Sequence, residues 1–343
     1  MLLAGCSDAA APADTVPRPA VAAAAGSASV PAEPAAIVTE APAAAGPLPQ
    51  TARPYEAVTT GLLVFQSDVT GRPKIFALDV ATGQVRQLTH GADWRDESPR
   101  WSPDGQSIAF SSNRAHYGSQ AEPGTPDLDL YVMRADGTGI RRVTTDPGND
   151  SDPSWLADGS GLVFSSDRAS RGDLFRVRLA DGHTERLTTN FVGRAIMPAV
   201  APDGGRVAFA AQTLRVGDFW NFQVHILDLA SGRTTPVPAS GGACWPSWTP
   251  DGRAIFNVQL DREPSSIQRR ELSGAVAIAH ASPTLWSYYP RVSPDGAWLV
   301  VSVSPEHHDG ENWDLALVST TNPGRRIALT TGAGNDRLAD WKP

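Results

Sequence analysis

The sequence lacks several features that would point to common classes of protein. Cys6 and Cys244 are the only cysteines among 343 residues, which excludes a disulfide framework. No apolar run approaches the roughly 20 residues that a membrane-spanning helix needs. Lys and Arg number 29 against 37 Asp and Glu, giving a net charge of −8, so neither nucleic acid nor an anionic membrane surface is expected as a partner. No segment repeats apolar residues with the period of a helix, which leaves short strands as the main element.

Motifs for catalysis and nucleotide binding are missing as well. The sequence contains no G-x-S-x-G elbow, Walker A motif, Rossmann glycine pattern, H-E-x-x-H or C-x-x-C. These absences favour a binding protein over an enzyme, and we expect no cofactor.

One phrase recurs along most of the chain. It reads P-R-W-S-P-D-G at 99–105 and returns, with changes, at 153–159, 198–204, 246–252 and 290–296, while 339–343 (A-D-W-K-P) is a shortened copy. The turn glycines of the five full copies are 44 to 54 residues apart. Three further short apolar runs, separated by turn residues, follow each full copy. Units of four strands with a period in the forties are typical of propeller blades.

The repeats predict an all-β fold, a six-bladed β-propeller of four-stranded blades. Five blades are complete, at about 98–144, 153–188, 198–237, 245–279 and 290–330. The sixth is split: 62–89 supplies three strands, and 339–343 supplies the strand that precedes them. We therefore expect the C-terminal strand to pair with the first blade, which closes the ring and leaves no open sheet edge.

The repeat P-x-W-S-P-D-G-x-x-I-A-F-S-S-x-R, seen at 99–114, is similar to the repeat of TolB-type β-propellers, and the resemblance covers residues 61–343. It implies a propeller and a binding role in the cell envelope. The α/β domain that precedes the propeller in TolB has no counterpart in 7–54, so the chain resembles the wider group of TolB-like exported lipoproteins. Within the repeats, the tryptophans Trp101, Trp155, Trp248 and Trp341 are expected to pack between neighbouring blades.

The N-terminal residues predict export and a membrane anchor. Residues 3–6 (L-A-G-C) look like a bacterial lipobox, so 1–6 would be the remnant of a lipoprotein signal peptide and Cys6 would carry the lipid. The alternative is an incidental run of small residues. Residues 7–54 are rich in Ala and Pro and are expected to form a disordered linker before a propeller at 55–343. Ser7 after the cysteine implies, by resemblance, a periplasmic protein anchored to an outer membrane.

The four-stranded blade predicts two faces. The P-D-G turns and the third-to-fourth strand turns lie on one, here called the P-D-G face. The inter-blade connections and the second-to-third strand connections lie on the other, here called the variable face, and these longer loops are where binding is expected.

Candidate binding residues cluster at the channel mouth of the variable face. Three aspartates stand three positions before the phrase proline or its equivalent, two of them follow an asparagine, and aromatic residues and an arginine occupy the opposite blades. The set comprises Asp96, Asp150, Asp336, Asn149, Asn335, Arg194, Trp245, Trp286 and Tyr288. One interpretation is an acidic rim facing an aromatic one, able to hold a cation, a basic peptide or a sugar. The other is that each aspartate caps its own loop.

Two functions follow from these patterns. The first is an exported, lipid-anchored, monomeric scaffold that binds an envelope protein or a peptidoglycan-associated partner. The alternative is a propeller enzyme of lyase or glycosidase type that uses the acidic mouth, with or without a divalent cation. The densest set of ligand-type side chains, His307, His308, Asp309 and Glu311, falls within one loop and is read as solvated.

Overall fold

The computed structural model describes residues 37–38, 46–52, 61–116, 128–169, 172–216, 219–307 and 310–343, which form strands and turns without a helix. No helix long and apolar enough to span a membrane occurs in these residues.

Six antiparallel units of four strands make up the fold and are numbered here as blades 1 to 6, each given from its innermost strand outward. Blade 1 consists of β27 (Arg337–Trp341), β3 (Leu62–Ser67), β4 (Lys74–Asp79) and β5 (Val85–Gln87). Blade 2 consists of β6 (Asp96–Trp101), β7 (Ser107–Ser112), β8 (Asp129–Arg134) and β9 (Ile140–Arg142). Blade 3 consists of β10 (Asp150–Trp155), β11 (Gly161–Ser166), β12 (Asp173–Arg178) and β13 (Thr184–Arg186).

The remaining blades follow the same order. Blade 4 consists of β14 (Arg194–Val200), β15 (Arg206–Val216), β16 (Phe219–Asp228) and β17 (Thr234–Gly241). Blade 5 consists of β18 (Ala243–Trp248), β19 (Ala254–Gln259), β20 (Ser266–Glu271) and β21 (Val276–His280). Blade 6 consists of β22 (Trp286–Val292), β23 (Trp298–Ser304), β24 (Asp314–Ser319) and β25 (Arg326–Ala328).

The predicted ring closure is confirmed. The innermost strands are neighbours in the circular order β27, β6, β10, β14, β18, β22 and back to β27. β27 pairs antiparallel with β3, with Asp340 opposite Val64 and Trp341 opposite Leu63. The last backbone bond of this seam runs from the N–H of Lys342 to the carbonyl of Leu62, at 2.8 Å. The two ends of the propeller sequence therefore share one sheet.

The predicted packing of tryptophans between blades is also confirmed, and the structure adds a hydrogen bond to it. Trp155 lies in an apolar cluster with Leu130 of the preceding blade. Its indole Nε1–H donates to the carbonyl of Arg100, on that preceding blade, at 3.0 Å. Trp248 and Trp341 make the same bond to the residue after the phrase proline of the preceding blade, at 2.9 and 3.2 Å. Three of the four repeat tryptophans thus join blades by a polar contact as well as by apolar area.

Two parts of the structure differ from the sequence-based expectation. The hairpin β15–β16 continues into the second-to-third strand connection of blade 4, which was expected to be a loop, because β-forming residues extend the ladder and Val216 pairs with Phe219. Short pieces of the expected linker also pair with outer strands. β1 (Ile37–Val38) adds to β9, and β2 (Gln50–Thr51) pairs with β26 (Thr330–Thr331). Apart from 37–38 and 46–52, the linker lies outside the described residues, as does Cys6.

Candidate functional site

The innermost strand of every blade carries the same bulge. The residue before the phrase proline, or before its equivalent Ala339, has a positive φ between 51° and 57° in all six blades: Ser98, Asp152, Met197, Trp245, Tyr289 and Leu338. A non-glycine residue in this region costs about 1–3 kcal/mol. Its repetition in six blades shows that the surrounding fold enforces it.

Side chains at the bulge positions meet across blade boundaries. Ser98 Oγ donates to Asp152 Oδ1 at 3.2 Å, so blades 2 and 3 are joined by a polar contact. Trp245 and Tyr289 pack edge to face with ring centroids 4.7 Å apart, so blades 5 and 6 are joined by an aromatic one. Leu338 belongs to the same buried apolar cluster as this aromatic pair. The ring of bulges therefore has a polar part and an apolar part.

Asp96 and Asp150 lie fully buried at the start of their inner strands. Arg114 Nη2 lies 2.8 Å from Asp96 Oδ1, and Arg168 pairs with Asp150 in the same way one blade further on. Each guanidinium also lies over two aromatic rings of its own blade, at 5.1 to 5.4 Å from the centroids. These two aspartates therefore form internal ion pairs, and they are not exposed at a rim.

The backbone of these aspartates bridges neighbouring blades. The N–H of Asp96 donates to Pro73 O, and that of Asp150 donates to Leu128 O, next to the third strand of the preceding blade. Lys74 of blade 1 adds a second cation to Asp96, with Nζ 3.5 Å from Oδ2. This arrangement differs from the capping that was considered, because the carboxylates bind cationic side chains.

Asp336 occupies the same position in blade 1 without an arginine. The residue that corresponds to Arg114 is Val69. Burial raises the pKa of Asp336 to about 6, and the carboxylates of Asp314 and Asp68 act in the same direction against hydrogen bonds from Ser67 and Thr330. Burial likewise raises the pKa of Asp314 to about 6. Two carboxyls with raised pKa values, Asp336 of blade 1 and Asp314 of blade 6, therefore lie close enough to interact at this position.

Asn149 and Asn335 serve the loops of the variable face. Asn335 donates its backbone N–H and its Nδ2–H to the two carboxylate oxygens of Asp68, both at 2.7 Å. Asn149 makes the equivalent pair of bonds to Asp167, at 2.7 and 3.3 Å. Each asparagine therefore connects an inter-blade loop to a second-to-third strand loop.

The aromatic residues of the predicted rim divide by burial. Trp245 and Tyr288 are buried, and Tyr288 packs edge to face against Trp313 with centroids 5.5 Å apart. Trp286 is half-buried and packs against His307 with centroids 4.6 Å apart. Arg194 is half-buried, and its Nη1 donates to Gln212 Oε1 at 2.9 Å. Trp286 and Arg194 thus remain in part accessible, whereas Trp245 and Tyr288 do not.

The described residues hold no group of three His, Cys, Asp or Glu side chains arranged to bind a metal ion. His308 and Asp309 of the predicted ligand-rich loop lie outside them. Because Asp96 and Asp150 are buried in ion pairs, their placement gives the lyase or glycosidase alternative no support.

Sequence reasoning missed the arginines that pair with Asp96 and Asp150. The signal was present in the repeat, since S-x-R follows the second strand in blades 2 and 3, as Ser112 to Arg114 and Ser166 to Arg168. Aligning the aspartate and arginine positions across blades would have paired them and exposed the exception at Val69.

The fold and its inner ring define the class of protein as a closed six-bladed β-propeller. A family model described as the TolB beta propeller domain matches residues 119–257. The Tol-Pal system protein TolB of Francisella tularensis is 25% identical over 214 residues, which cover 62% of this chain and 46% of that protein. The Chlorobium luteolum protein TolB homolog is 30% identical over 175 residues, covering 50% of this chain and 35% of that protein.

A solved structure agrees with these sequence matches. The crystal structure of TolB from Acinetobacter baumannii superposes with a TM-score of 0.67 at 20% identity, covering 82% of this chain and 67% of that chain. This chain therefore carries a TolB-like β-propeller. Each of these two sequence matches covers less than half the length of the curated relative.

Proposed function

We propose that this protein is a binding scaffold of the cell envelope that holds a protein partner on its variable face. The support for the class of function is the TolB-like propeller, whose curated relatives include proteins named for the Tol-Pal system. The observation that carries the proposal is the length of the β15–β16 hairpin, whose strands have 11 and 10 residues. In the other blades the three inner strands have six or seven residues each, except β27, which has five. The hairpin extends blade 4 on the variable face.

The neighbouring loop gives this hairpin a contact surface at its base. Gly193 packs so closely that a Cβ there would lie 2.5 Å from Gln212 O, and its φ is +129°. Arg194 binds the side chain of Gln212 in the same place. Val192, just before them, is 84% exposed. An exposed apolar side chain beside a cation and an extended strand pair fits a protein partner better than a small molecule.

The predicted site residues divide into two roles under this proposal. Arg194 and Trp286 contact the partner, because both keep part of their surface accessible. The loops that present this surface are held in place by the three aspartates and the two asparagines of the predicted set: Asp96, Asp150, Asp336, Asn149 and Asn335. Trp245 and Tyr288 support it from the buried side. No cofactor, metal or nucleic acid is required.

The location proposed for this scaffold is the periplasm, with the protein anchored to the outer membrane by lipid on Cys6. The lipobox-like 3–6 and the Ala/Pro-rich linker support this placement. A monomeric propeller on such a tether would reach an envelope protein or a peptidoglycan-associated partner. Mass spectrometry of the membrane fraction should find a lipid on the N-terminal cysteine, and Cys6→Ala should release the protein from the membrane. An unmodified Cys6 would contradict the anchor and leave the binding surface untouched.

Affinity purification of the tagged full chain from an envelope fraction tests the binding proposal. We expect a partner that co-purifies with the wild type and is lost from the double variant Val192→Asp, Arg194→Glu. The matched control is Ile278→Asp, Arg325→Glu, which also changes one exposed apolar residue and one arginine, but on blades 5 and 6 away from this surface. Equal recovery of the partner by both double variants would refute the proposed surface.

A further inference from the structure

A cavity of about 460 Å³ opens at the P-D-G end of the channel, on the side opposite the variable face. Its lining includes the residue after the phrase proline, or after Ala339, from every blade: Asp340, Arg100, Ser154, Ala199, Ser247 and Arg291. The four repeat tryptophans and six prolines, four of them in the P-D-G turns, are also part of the wall. The volume lies within the range of small-ligand sites, which are apolar with a few convergent polar groups.

Two buried arginines on one side of this cavity supply its charge. Arg100 is 6% exposed, and the side chain of Arg291 is 12% exposed. Burial, and then the positive charge of Arg100, lowers the pKa of Arg291 to about 9. Two largely buried guanidinium groups thus line one cavity, which is unfavourable unless anions compensate for both.

Both guanidinium groups have N–H donors that make no hydrogen bond to the described residues. Within the described residues, Arg100 donates only through Nη1, to Pro99 O at 2.8 Å and weakly to Leu338 O at 3.5 Å. Arg291 also donates through Nη1, to two carbonyl oxygens at 3.2 Å. An arginine has five N–H donors in a fork that matches a carboxylate.

Two carboxylates lie near the arginines, but within the described residues the guanidinium groups donate hydrogen bonds to carbonyl oxygens only. Asp340 Oδ2 accepts the backbone N–H of Trp101 at 2.9 Å, and Oδ1 lies 3.9 Å from Arg291 Nε, beyond hydrogen-bond length. Asp152 accepts from Ser98. Both carboxylates favour the charged form of the two arginines through space. The positive charge of the cavity is therefore balanced without direct hydrogen bonds, and N–H donors of both guanidinium groups remain available to a ligand.

The other side of the cavity provides the space. Ser154, Ala199 and Ser247 stand there on three consecutive blades, where larger side chains would fill the volume. The serine hydroxyls add two further polar groups. A group that enters past the prolines would meet small side chains on one side and guanidinium donors on the other.

We propose that this cavity binds a carboxylate, held by Arg100 and Arg291 and seated against Ser154 and Ser247. The inference stands apart from the variable-face proposal, because it concerns the opposite end of the channel and other residues. The carboxylate is carried either by a peptide or by a small organic acid, and both present the same group to the arginines.

Isothermal titration of the full chain at low salt tests the site with four probes. These are an end-blocked peptide with one glutamate, the same peptide with glutamine in its place, succinate, and inorganic phosphate. We expect saturable binding of the glutamate peptide, of succinate or of both, at least about tenfold tighter than the glutamine peptide. Which of the two binds more tightly identifies the carrier. Equal binding of the Glu and Gln peptides without binding of succinate, tighter binding of phosphate than of either carboxylate, or no binding of any probe would overturn the proposal.

Two kinds of variant separate binding from structural support. Arg291→Gln and Arg100→Gln should each weaken carboxylate binding at least about tenfold, whereas Arg325→Gln, an exposed arginine of blade 6, should not. Ser247→Leu keeps both arginines and fills the cavity, so it should abolish binding in a protein whose Tm stays near the wild-type value. Loss of stability with unchanged affinity in the arginine variants, or full binding by Ser247→Leu, would show that the arginines only support the fold.

Discussion

Lys74 Nζ of blade 1 lies 3.5 Å from Asp96 Oδ2 of blade 2, and both side chains are at least 98% buried. Arg114 holds the other carboxylate oxygen of Asp96 at 2.8 Å. One aspartate therefore compensates two buried cations at a blade boundary, and neutralising it would leave both without their counter-charge.

Asp96→Asn should lower the free energy of unfolding by about 3–5 kcal/mol, the usual effect of removing one partner of a buried ion pair. Urea denaturation would measure it. The control is Glu97→Gln on the same strand, whose pair with Arg95 is partly exposed and should contribute less than about 1 kcal/mol. A loss as small as that of the control would show that Asp96 is not required for this boundary.

Asp336→Asn should change the free energy of unfolding in the opposite direction. Val69 stands in place of the arginine of blades 2 and 3. Burial, and to a lesser degree the charges of Asp314 and Asp68, raise the pKa of Asp336 to about 6. The charge of Asp336 is unfavourable at pH 7.5, and asparagine has the same shape without that charge. The substitution should therefore raise the free energy of unfolding by about 1–2 kcal/mol. Thermal denaturation of both variants would check this, and a lower Tm for Asp336→Asn would contradict it.

The same carboxyls predict a pH dependence with a definite sign. The pKa values of Asp314 and Asp336 are about 6 in the folded protein against an ordinary value of 3.8, so the folded state binds protons more tightly than the unfolded state. Their contribution to stability is therefore greatest below pH 4 and declines as pH rises to about 6. The wild type should lose part of its stability over this window relative to the double variant Asp314→Asn, Asp336→Asn. Parallel curves for the two proteins between pH 4 and 7 would contradict the assignment.

The indole hydrogen bonds predict unequal effects of equal substitutions. Trp248 Nε1–H donates to Ala199 O, whereas the Nε1–H of Trp101 is buried with no acceptor among the described residues. Both Trp→Phe changes remove similar volume. Trp248→Phe should therefore cost about 1 kcal/mol more than Trp101→Phe, the net contribution of one hydrogen bond. Equal losses in urea denaturation would assign the repeat tryptophan to packing alone.

Ring closure predicts a strong effect of C-terminal truncation. Removing residues 337–343 deletes β27, the inner strand of blade 1, and exposes the edge of β3. We expect the truncated protein to lose its cooperative unfolding transition and to aggregate. Removing residues 1–45 should leave the transition in place, because β27 and β3 remain. Cooperative unfolding of the truncated protein near the wild-type Tm would contradict closure through this seam.

The sequence predicted the fold well because the repeat contains the local chemistry of a blade. The P-D-G turns, the short apolar runs and the split sixth unit can all be recognised in the sequence itself. Ring closure follows because 339–343 supplies the strand that 62–89 lacks. The long β15–β16 hairpin was missed because Gln212 to Phe222 contains polar and glycine residues that resemble a loop, while the pairing that extends it is non-local.

The candidate site was harder to predict because burial is not a property of position in a repeat. Asp96, Asp150 and Asp336 align in sequence, yet the first two are neutralised by arginines two residues after the second strand and the third is not. Trp245 stands directly before its phrase proline and Trp286 four positions before its own, and both were predicted to lie at the rim. Trp245 occupies the bulge and is buried, whereas Trp286 begins its strand and is half-buried. The difference among the aspartates could have been found from the repeat, whereas the different burial of the two tryptophans is visible only in the tertiary structure.

The most direct test of the proposed scaffold is site-specific photo-crosslinking in cells, with the photoreactive residue placed at Val192 in one protein and at Ile278 in another. Both side chains are exposed, at 84% and 49%, but only Val192 lies beside the β15–β16 hairpin on the variable face. The account predicts a discrete crosslink from position 192 to one envelope protein and none to that protein from position 278. Absence of a crosslink at 192, or the same products from both positions, would contradict a partner-binding surface there.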